Sequence, residues 1–329
     1  MTTHKRLRRS ALVAAFLMGA SALSSQQAAG AAVQDKHNDP TRPLASGIQA
    51  NPTEELDRID QRSYPLSKTY SWTTSADNVH TYVLDAGINV THTDFGGRAT
   101  QGADLVGGTI AKDCWQHTAT GSAAQVGGIK YGVAKGAHLV SVRVRDCARR
   151  TTSSRVAAGI KWVTANAVRP AVALIPSSLP ASVEVDQAIR DSIKSGVTWV
   201  TNAEGSPEHD RDVCVEGSPT RVPEIITSTG VFTGSNSDSV HPLTHSGSCV
   251  DLAAPADAPT AIGPGSDENM WGAFDGGSGF TAGAAALVLA EHPAWTPQQV
   301  HQELVGKATP VKFIPSGAKP DRLLFTGTR

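Results

Sequence analysis

Several features that would mark out whole classes of protein are scarce in this 329-residue chain. It has only four cysteines, and no two of them form a Cys-x-x-Cys pair, so the usual ligand spacing of a zinc site is missing. Lysine and arginine total 29 against 30 aspartate and glutamate residues, so no basic excess points to nucleic acid. Beyond the amino terminus, no apolar stretch is long enough to predict a membrane-spanning helix. Hydrophobic residues nevertheless make up 40%, which is enough for a sizeable core.

The amino terminus has the composition of a secretory signal peptide. Four basic residues precede an apolar run over residues 11–23, which is too short to span a bilayer. Small residues at positions 29–31 then provide a cleavage signature. We therefore predict a signal peptide over residues 1–32, cleaved near Ala31 or Ala32, and a secreted, extracellular product without membrane attachment. An amino-terminal membrane anchor is the alternative.

The rest of the chain divides into a polar leader and a folded domain. Residues 33–54 are polar and include three prolines, so we predict a disordered leader there and a domain over residues 55–329. Within the domain the predicted strands lie at residues 80–88, 137–144, 171–175 and 197–200, and the predicted helices at 153–168 and 185–196. This alternation predicts an α/β fold in which helices cover both faces of a mostly parallel sheet.

The four cysteines take on a second meaning in an exported chain. An even number of cysteines in an oxidising compartment indicates disulfides. The residues are Cys114, Cys147, Cys214 and Cys249. Taken alone, they allow two disulfides in any of three pairings.

The most specific signal in the sequence is a series of motifs in a fixed order. They are LDRIDQRSYPL at 56–66, YVLDAGINVTHTDFGGRA at 82–99, YGVAKGAHLVSVRV at 131–144, RVPEIIT at 221–227 and AGAAALVLAEHP at 282–293. Together they resemble the subtilase family of serine proteases, and within it the proteinase K and aqualysin group. The resemblance implies a subtilisin-like three-layer sandwich that acts as a monomer on a polypeptide, without a catalytic cofactor. It also implies sequential disulfides, Cys114–Cys147 and Cys214–Cys249.

The resemblance further implies a catalytic triad of Asp85, His117 and Ser278. In this chemistry a serine hydroxyl attacks the peptide carbonyl, an imidazole takes its proton and a carboxylate orients the imidazole. Asp85 ends an apolar run in the LDAG motif, where the following glycine lets the chain turn away. A turn-forming aspartate is the alternative.

The histidine motif departs from the family pattern by one inserted residue. Counting forward from Cys114 places His117 at the catalytic position, whereas counting back from the glycine pair at 127–128 places Thr118 there. One helical residue corresponds to about 100° of rotation and about 1.5 Å of rise. His117 therefore keeps its place only if the insertion is absorbed after it, and a partly exposed histidine is the alternative.

The serine motif departs from the family pattern by three missing residues. Counting forward places Ser278 at the nucleophile position, whereas counting back from AGAAAL places Asp275 there. If the helix keeps its register, Ser278 is displaced by about 4.5 Å along the helix axis. A serine that caps the helix is the alternative.

Two further family features are altered. Gly205 stands where the resemblance implies the oxyanion asparagine, so no side chain can donate there, although Asn202 is a substitute candidate. The stretch expected to pair with substrate backbone, residues 174–182, contains Pro176 and Pro180, which cannot donate hydrogen bonds. We therefore expect weakened strand addition of a peptide.

The resemblance also bears on calcium and on a propeptide. Asp238 lies near the position of a family calcium aspartate, although three residues are inserted before it, and we predict a structural calcium ion there. A solvated loop aspartate is the alternative. Only about twenty residues separate the predicted signal peptide from residue 55, so we do not expect the long propeptide of secreted subtilases.

The sequence leaves two functions open. One is a serine endopeptidase that uses Asp85, His117 and Ser278, and that is weak or inactive because its motifs are altered. The other is a non-catalytic pseudoprotease that binds a peptide or protein ligand as a secreted scaffold. Family resemblance favours the first function, and the five local losses favour the second.

Overall fold

The structure is a computed structural model that describes residues 46–108, 118–203, 212–234, 236–240, 247–256, 258–260, 271–273, 276–313 and 320–327. Within these ranges the chain forms sixteen strands and seven α-helices. The predicted signal peptide lies outside them, and so do His117, Gly205, Asp275 and Cys114. No helix among the described residues is both long and apolar enough to cross a membrane.

A ten-stranded, mostly parallel sheet forms the middle layer. From one edge to the other its strands are β15 (Thr309–Pro310), β16 (Arg322–Leu323), β12 (Leu252–Pro255), β10 (Ile226–Gly234), β8 (Thr198–Asn202), β6 (Ala171–Ile175), β3 (His80–Asp85), β5 (His138–Arg143) and β4 (Ala99–Asp104), and β11 (Ser237–Val240) pairs with β10. Strands β11 and β15 run antiparallel to their neighbours, and the other pairings in this sheet are parallel. The predicted α/β fold with a mostly parallel sheet is confirmed.

Helices cover both faces of this sheet. They are α1 (Glu54–Ile59), α2 (Thr118–Gly127), α3 (Ser153–Asn166), α4 (Val183–Lys194), α5 (Val213–Glu216), α6 (Ser278–Glu291) and α7 (Pro297–Lys307). Successive side chains of a strand point to opposite faces, so Val83 joins the core under α2 and α6 whereas Leu84 joins the core under α3 and α4. The molecule therefore has the three layers that the resemblance implied.

Helix α6 passes through the interior and brings its first residue to the carboxyl edge of the sheet. Its sequence is rich in alanine and glycine, and its first thirteen residues are buried. At Gly283 a Cβ atom would lie 2.7 Å from the Val133 Cβ and 2.9 Å from the Val126 carbonyl oxygen, so only glycine permits this close approach to α2. Helix α6 is therefore a helix of the buried core.

Three two-stranded pairs lie outside the main sheet. They are β1 (Gly47–Ala50) with β2 (Thr69–Trp72), β7 (Leu179–Pro180) with β9 (Gly217–Ser218), and β13 (Ala258–Thr260) with β14 (Trp271–Ala273). Strand β1 corrects the last part of the disordered leader predicted over residues 33–54, because residues 47–50 pair with β2 in register. Residues 33–45 lie outside the described residues, and the prediction for them stays a prediction. The indole of Trp72 lies where a Cβ of Gly47 would be. The polar composition of residues 33–54 gave no sign of this close packing contact.

Candidate active site

Asp85 ends β3 at the carboxyl edge of the parallel sheet, where open α/β folds place their sites. Its side chain is buried, with 3% exposed, and Gly87 (φ 109°) turns the chain away from the strand. The loop that follows is tied to the first turn of α2, because the Asn89 N–H donates to Thr120 Oγ1 (2.9 Å). Asp85 and the start of α2 therefore belong to one edge of the sheet. His117 immediately precedes α2 and lies outside the described residues, so its role stays a prediction.

Arg145 is a neighbour of Asp85 that the sequence analysis missed. It follows β5, and its Nε lies 3.7 Å from Asp85 Oδ1 while its backbone N–H donates to the Asp85 carbonyl (3.2 Å). Its Nη1 donates to the Arg149 carbonyl (3.1 Å). Burial lowers the pKa of the Arg145 guanidinium, and the nearby Asp85 carboxylate opposes that shift. An arginine two residues after a buried parallel strand was the available signal, because that position lies at the carboxyl edge.

Ser278 is the first residue of α6 and has no exposed surface. Gly277 occupies the N-cap with φ 71°, and Gly276 before it has φ 60°, both in the left-handed region that favours glycine. A Cβ on Gly277 would lie 2.6 Å from the Ala254 Cβ. Ser278 therefore does not take the N-cap position considered as its alternative role, and it enters the helix through a tightly packed turn.

Asn202, the substitute oxyanion donor considered above, ends β8 and is fully buried. Its Nδ2 donates to the Pro176 carbonyl (2.9 Å), and its side chain packs against Gly276 in the turn before α6. Ser228 Oγ donates to the Gly276 carbonyl (3.1 Å) from the other side. These contacts fix the turn, and they commit one N–H of the Asn202 amide to a structural bond.

The stretch expected to receive substrate backbone, residues 174–182, is largely engaged within the chain. Strand β7 pairs with β9, and Pro180 opposite Gly217 has no N–H to donate. The next backbone N–H, that of Ala181, donates to the Glu216 carbonyl (2.8 Å). Little backbone of this stretch is left for strand addition of a peptide.

One of the two expected disulfides is present in the structure. The Sγ atoms of Cys214 and Cys249 are bonded at 2.04 Å, and the Cα atoms are 5.3 Å apart. Cys147 is also disulfide-bonded, and Cys114 lies outside the described residues, so the pairing of these two stays a prediction.

The surroundings of Asp238 do not fit the calcium ion that the resemblance implied. Arg58 donates from Nε and Nη2 to the two carboxylate oxygens at 2.8–3.2 Å, and the Tyr64 hydroxyl donates to Oδ1 (3.0 Å). A guanidinium already neutralises this carboxylate. Among the described residues, no group of three or more His, Cys, Asp and Glu side chains could hold a metal ion.

Comparisons with known proteins agree with the fold and the order of the motifs. The profile of the subtilase family matches residues 77–324. The chain is 39% identical over 286 residues to an extracellular serine proteinase of Thermus sp. (strain Rt41A), covering 86% of this chain and 68% of that protein. It is 37% identical over 298 residues to alkaline serine exoprotease A of Vibrio alginolyticus, covering 86% of this chain and 52% of that protein.

A solved structure also matches over most of the chain. It is that of a cold-adapted subtilisin-like serine proteinase, with a TM-score of 0.77 and 34% identity. The match covers 85% of this chain and 100% of that one.

Proposed function

Because the chain belongs to the subtilase family, we propose that it is a secreted subtilisin-like serine endopeptidase homologue in which peptide-bond hydrolysis is greatly weakened. In this proposal Asp85 orients His117, His117 takes the proton of Ser278, and Ser278 attacks the substrate carbonyl. The substrate is a polypeptide, and no cofactor takes part. The name of the Thermus relative as an extracellular proteinase supports export and the substrate class.

The proposal that peptide-bond hydrolysis is weakened rests on the burial of Ser278. A nucleophile must present its Oγ to a substrate carbonyl at about 3 Å while donors hold the oxyanion. Ser278 has no exposed surface, and the turn before it is held by Ala254 on one side and by Asn202 on the other. Moving the hydroxyl outward requires this packed turn to open, and a misplacement of about 1 Å can reduce the rate about a hundredfold.

A fluorophosphonate probe tests this function directly, because it labels a serine only when that serine is activated. We expect the purified mature protein to be labelled, and to cleave casein or a tetrapeptide anilide, at least about a thousandfold more slowly than an efficient subtilase. Because Ser278 is the proposed nucleophile, Ser278→Ala should abolish the residual labelling and cleavage. Brisk cleavage that Ser278→Ala abolishes would show that the triad is assembled and would overturn the proposal of weakness.

The same burial favours a second function, that of a pseudoprotease that binds a polypeptide without cleaving it. An unmodified peptide that binds to the protein and is recovered intact supports this function. Since residues 174–182 offer little free backbone, side-chain contacts would have to supply most of the affinity. Alanine substitution of every second residue of the bound peptide separates side-chain recognition from strand addition.

A further inference from the structure

Two arginines at the end of the same strand have different partners. Arg143, the last residue of β5, donates from Nη1 to Asp104 Oδ2 (3.1 Å) and to the Gly107 carbonyl (2.9 Å). Arg145 instead brings its guanidinium within 4 Å of Asp85. The charge of Arg143 is therefore matched by an aspartate at the edge of the sheet, whereas that of Arg145 acts on the carboxylate proposed for the triad.

The other elements packed against β3 bring few charges to Asp85. Helix α2 and strand β6 contain no charged residue, and α6 contains none before Glu291. Helix α3 carries Arg155 and Lys161, and the ammonium group of Lys161 lies near Glu184 (3.4 Å). In the turn after Arg145, Asp146 pairs with Arg150 (2.8 Å), and Arg149 is exposed. Among the described residues, the guanidinium of Arg145 is thus a dominant charge beside the Asp85 carboxylate.

We propose that Arg145 is a positioning residue that partly neutralises Asp85 and so lowers the proton affinity of the imidazole that Asp85 orients. This inference rests on the proposed function, because it takes His117 as that imidazole. In a working triad the carboxylate stabilises the imidazolium that forms when the serine loses its proton. A fixed guanidinium beside the carboxylate cancels part of that attraction and repels the imidazolium. Arg145 therefore opposes proton transfer from Ser278.

Nuclear magnetic resonance titration of the His117 ring tests the inference without any need for turnover. The resonance is assigned by its loss in His117→Gln. We expect Arg145→Gln to raise the pKa of His117 by about one unit, because it removes the opposing charge while keeping a side chain of similar length. Arg145→Lys keeps the charge and should leave the pKa near the wild-type value. Arg149→Gln removes a charge from the same turn without touching Asp85, and should move the pKa much less.

Asp85→Asn separates failure of this inference from failure of the proposed function. If Asp85→Asn lowers the pKa of His117 but Arg145→Gln leaves it unchanged, the triad pair stands and the role of Arg145 is overturned. If neither variant moves the pKa, His117 is not the partner of Asp85, and both proposals fail. Should Arg145→Gln not fold, Arg145→Met takes its place: a rise in the pKa of His117 supports the inference, and an unchanged pKa overturns it.

Discussion

Two buried arginines, Arg58 and Arg145, meet carboxylates in different ways. Arg58 is 2% exposed and donates to both oxygens of Asp238 at 2.8–3.2 Å. Arg145 is 9% exposed and reaches Asp85 through one Nε–Oδ1 approach of 3.7 Å, which is too long for a hydrogen bond. The first pair links α1 to the β10–β11 hairpin by directional bonds, whereas the second acts on its carboxylate mainly through charge.

The difference separates an ion pair that stabilises the fold from one that influences a site. A desolvated pair contributes to folding only when hydrogen bonds satisfy both partners. Arg58 meets that condition, and its Nη1 also donates to the Gln61 carbonyl (2.8 Å). The guanidinium of Arg145 makes no hydrogen bond to the Asp85 carboxylate at 3.7 Å, so its desolvation lowers the stability of the fold. Stability measurements on matched variants should therefore differ sharply between the two.

The largest effect is expected at Asp238. Asp238→Ala should lower the free energy of unfolding by about 3–5 kcal/mol, because it leaves Arg58 charged and buried without its partner. Urea denaturation followed by circular dichroism measures the loss. Arg58→Met combined with Asp238→Leu should recover most of it, since an apolar pair needs no desolvated charge. Arg150→Met at the exposed pair with Asp146 is the control and should leave the midpoint unchanged. A loss at Asp238 as small as the control would remove the distinction between the two arginines.

A partly buried cation, Lys135, has no carboxylate within ion-pair distance among the described residues. It lies over the rings of Tyr70 and Trp72, at 5.3 and 5.6 Å from their centroids. Burial lowers the pKa of Lys135 to about 8, with Asp94 opposing the shift. Between about pH 8 and about pH 10.5 the unfolded chain holds this proton more strongly than the folded protein does, so stability should rise with pH there.

Lys135→Met should therefore stabilise the protein at pH 7 by about 1–3 kcal/mol, after allowance for partial exposure. It should also remove the rise in stability between pH 7.5 and pH 9.5. Denaturation of wild type and variant at both pH values checks this, and Lys130→Met is the control on the same loop. A variant that is less stable than wild type at pH 7 would show that the two ring contacts outweigh the burial cost.

A smaller effect is expected from the hydroxyl that completes the Asp238 cluster. The Tyr64 hydroxyl donates to Asp238 Oδ1 and accepts from the Gly234 N–H (3.2 Å). Burial, followed by the charge of Asp238, raises the pKa of Tyr64 to about 12. Tyr64→Phe should cost about 1–2 kcal/mol, because it leaves the Gly234 N–H without that acceptor. Thermal denaturation near neutral pH measures it, and no change in the midpoint would mean that water replaces the hydroxyl.

The central strands could be predicted closely from the sequence because their apolar runs are local signals. The expected strand at 171–175 is β6 without change, and the expected helix at 153–168 is α3 with a slightly earlier end. Strand β1 could not be predicted, since its four residues lie in a polar segment and gain order only from pairing with β2 and packing on Trp72. Local composition describes a segment, whereas its partner elsewhere in the chain decides whether it is ordered.

The site was predictable only in part, for the same reason. Asp85 ends a strong strand signal, and in the structure it is the last residue of β3. The calcium ion predicted at Asp238 does not fit the structure, because Arg58 binds the carboxylate. The sequence could not show this, since Arg58 lies 180 positions away and no motif links the two residues. Arg145 was missed because its importance comes from the neighbouring strand, where the β3–β5 register sets Asp85 opposite Arg143. The partners of Asp238 and Asp85 are set by contacts between distant parts of the chain, and local sequence motifs do not reveal them.

The smallest stability change is expected at Arg145. Arg145→Met should alter the free energy of unfolding by less than about 1 kcal/mol, because methionine keeps the apolar stem while the variant loses only one long contact and one carbonyl bond. Removing the desolvation cost of the guanidinium offsets that loss. The matched variant is Arg58→Met, which should cost several times more in the same urea series. If the two substitutions are equally destabilising, Arg145 is a structural ion pair like Arg58, and the contrast between a pair that holds the fold and a charge that acts on a carboxylate is lost.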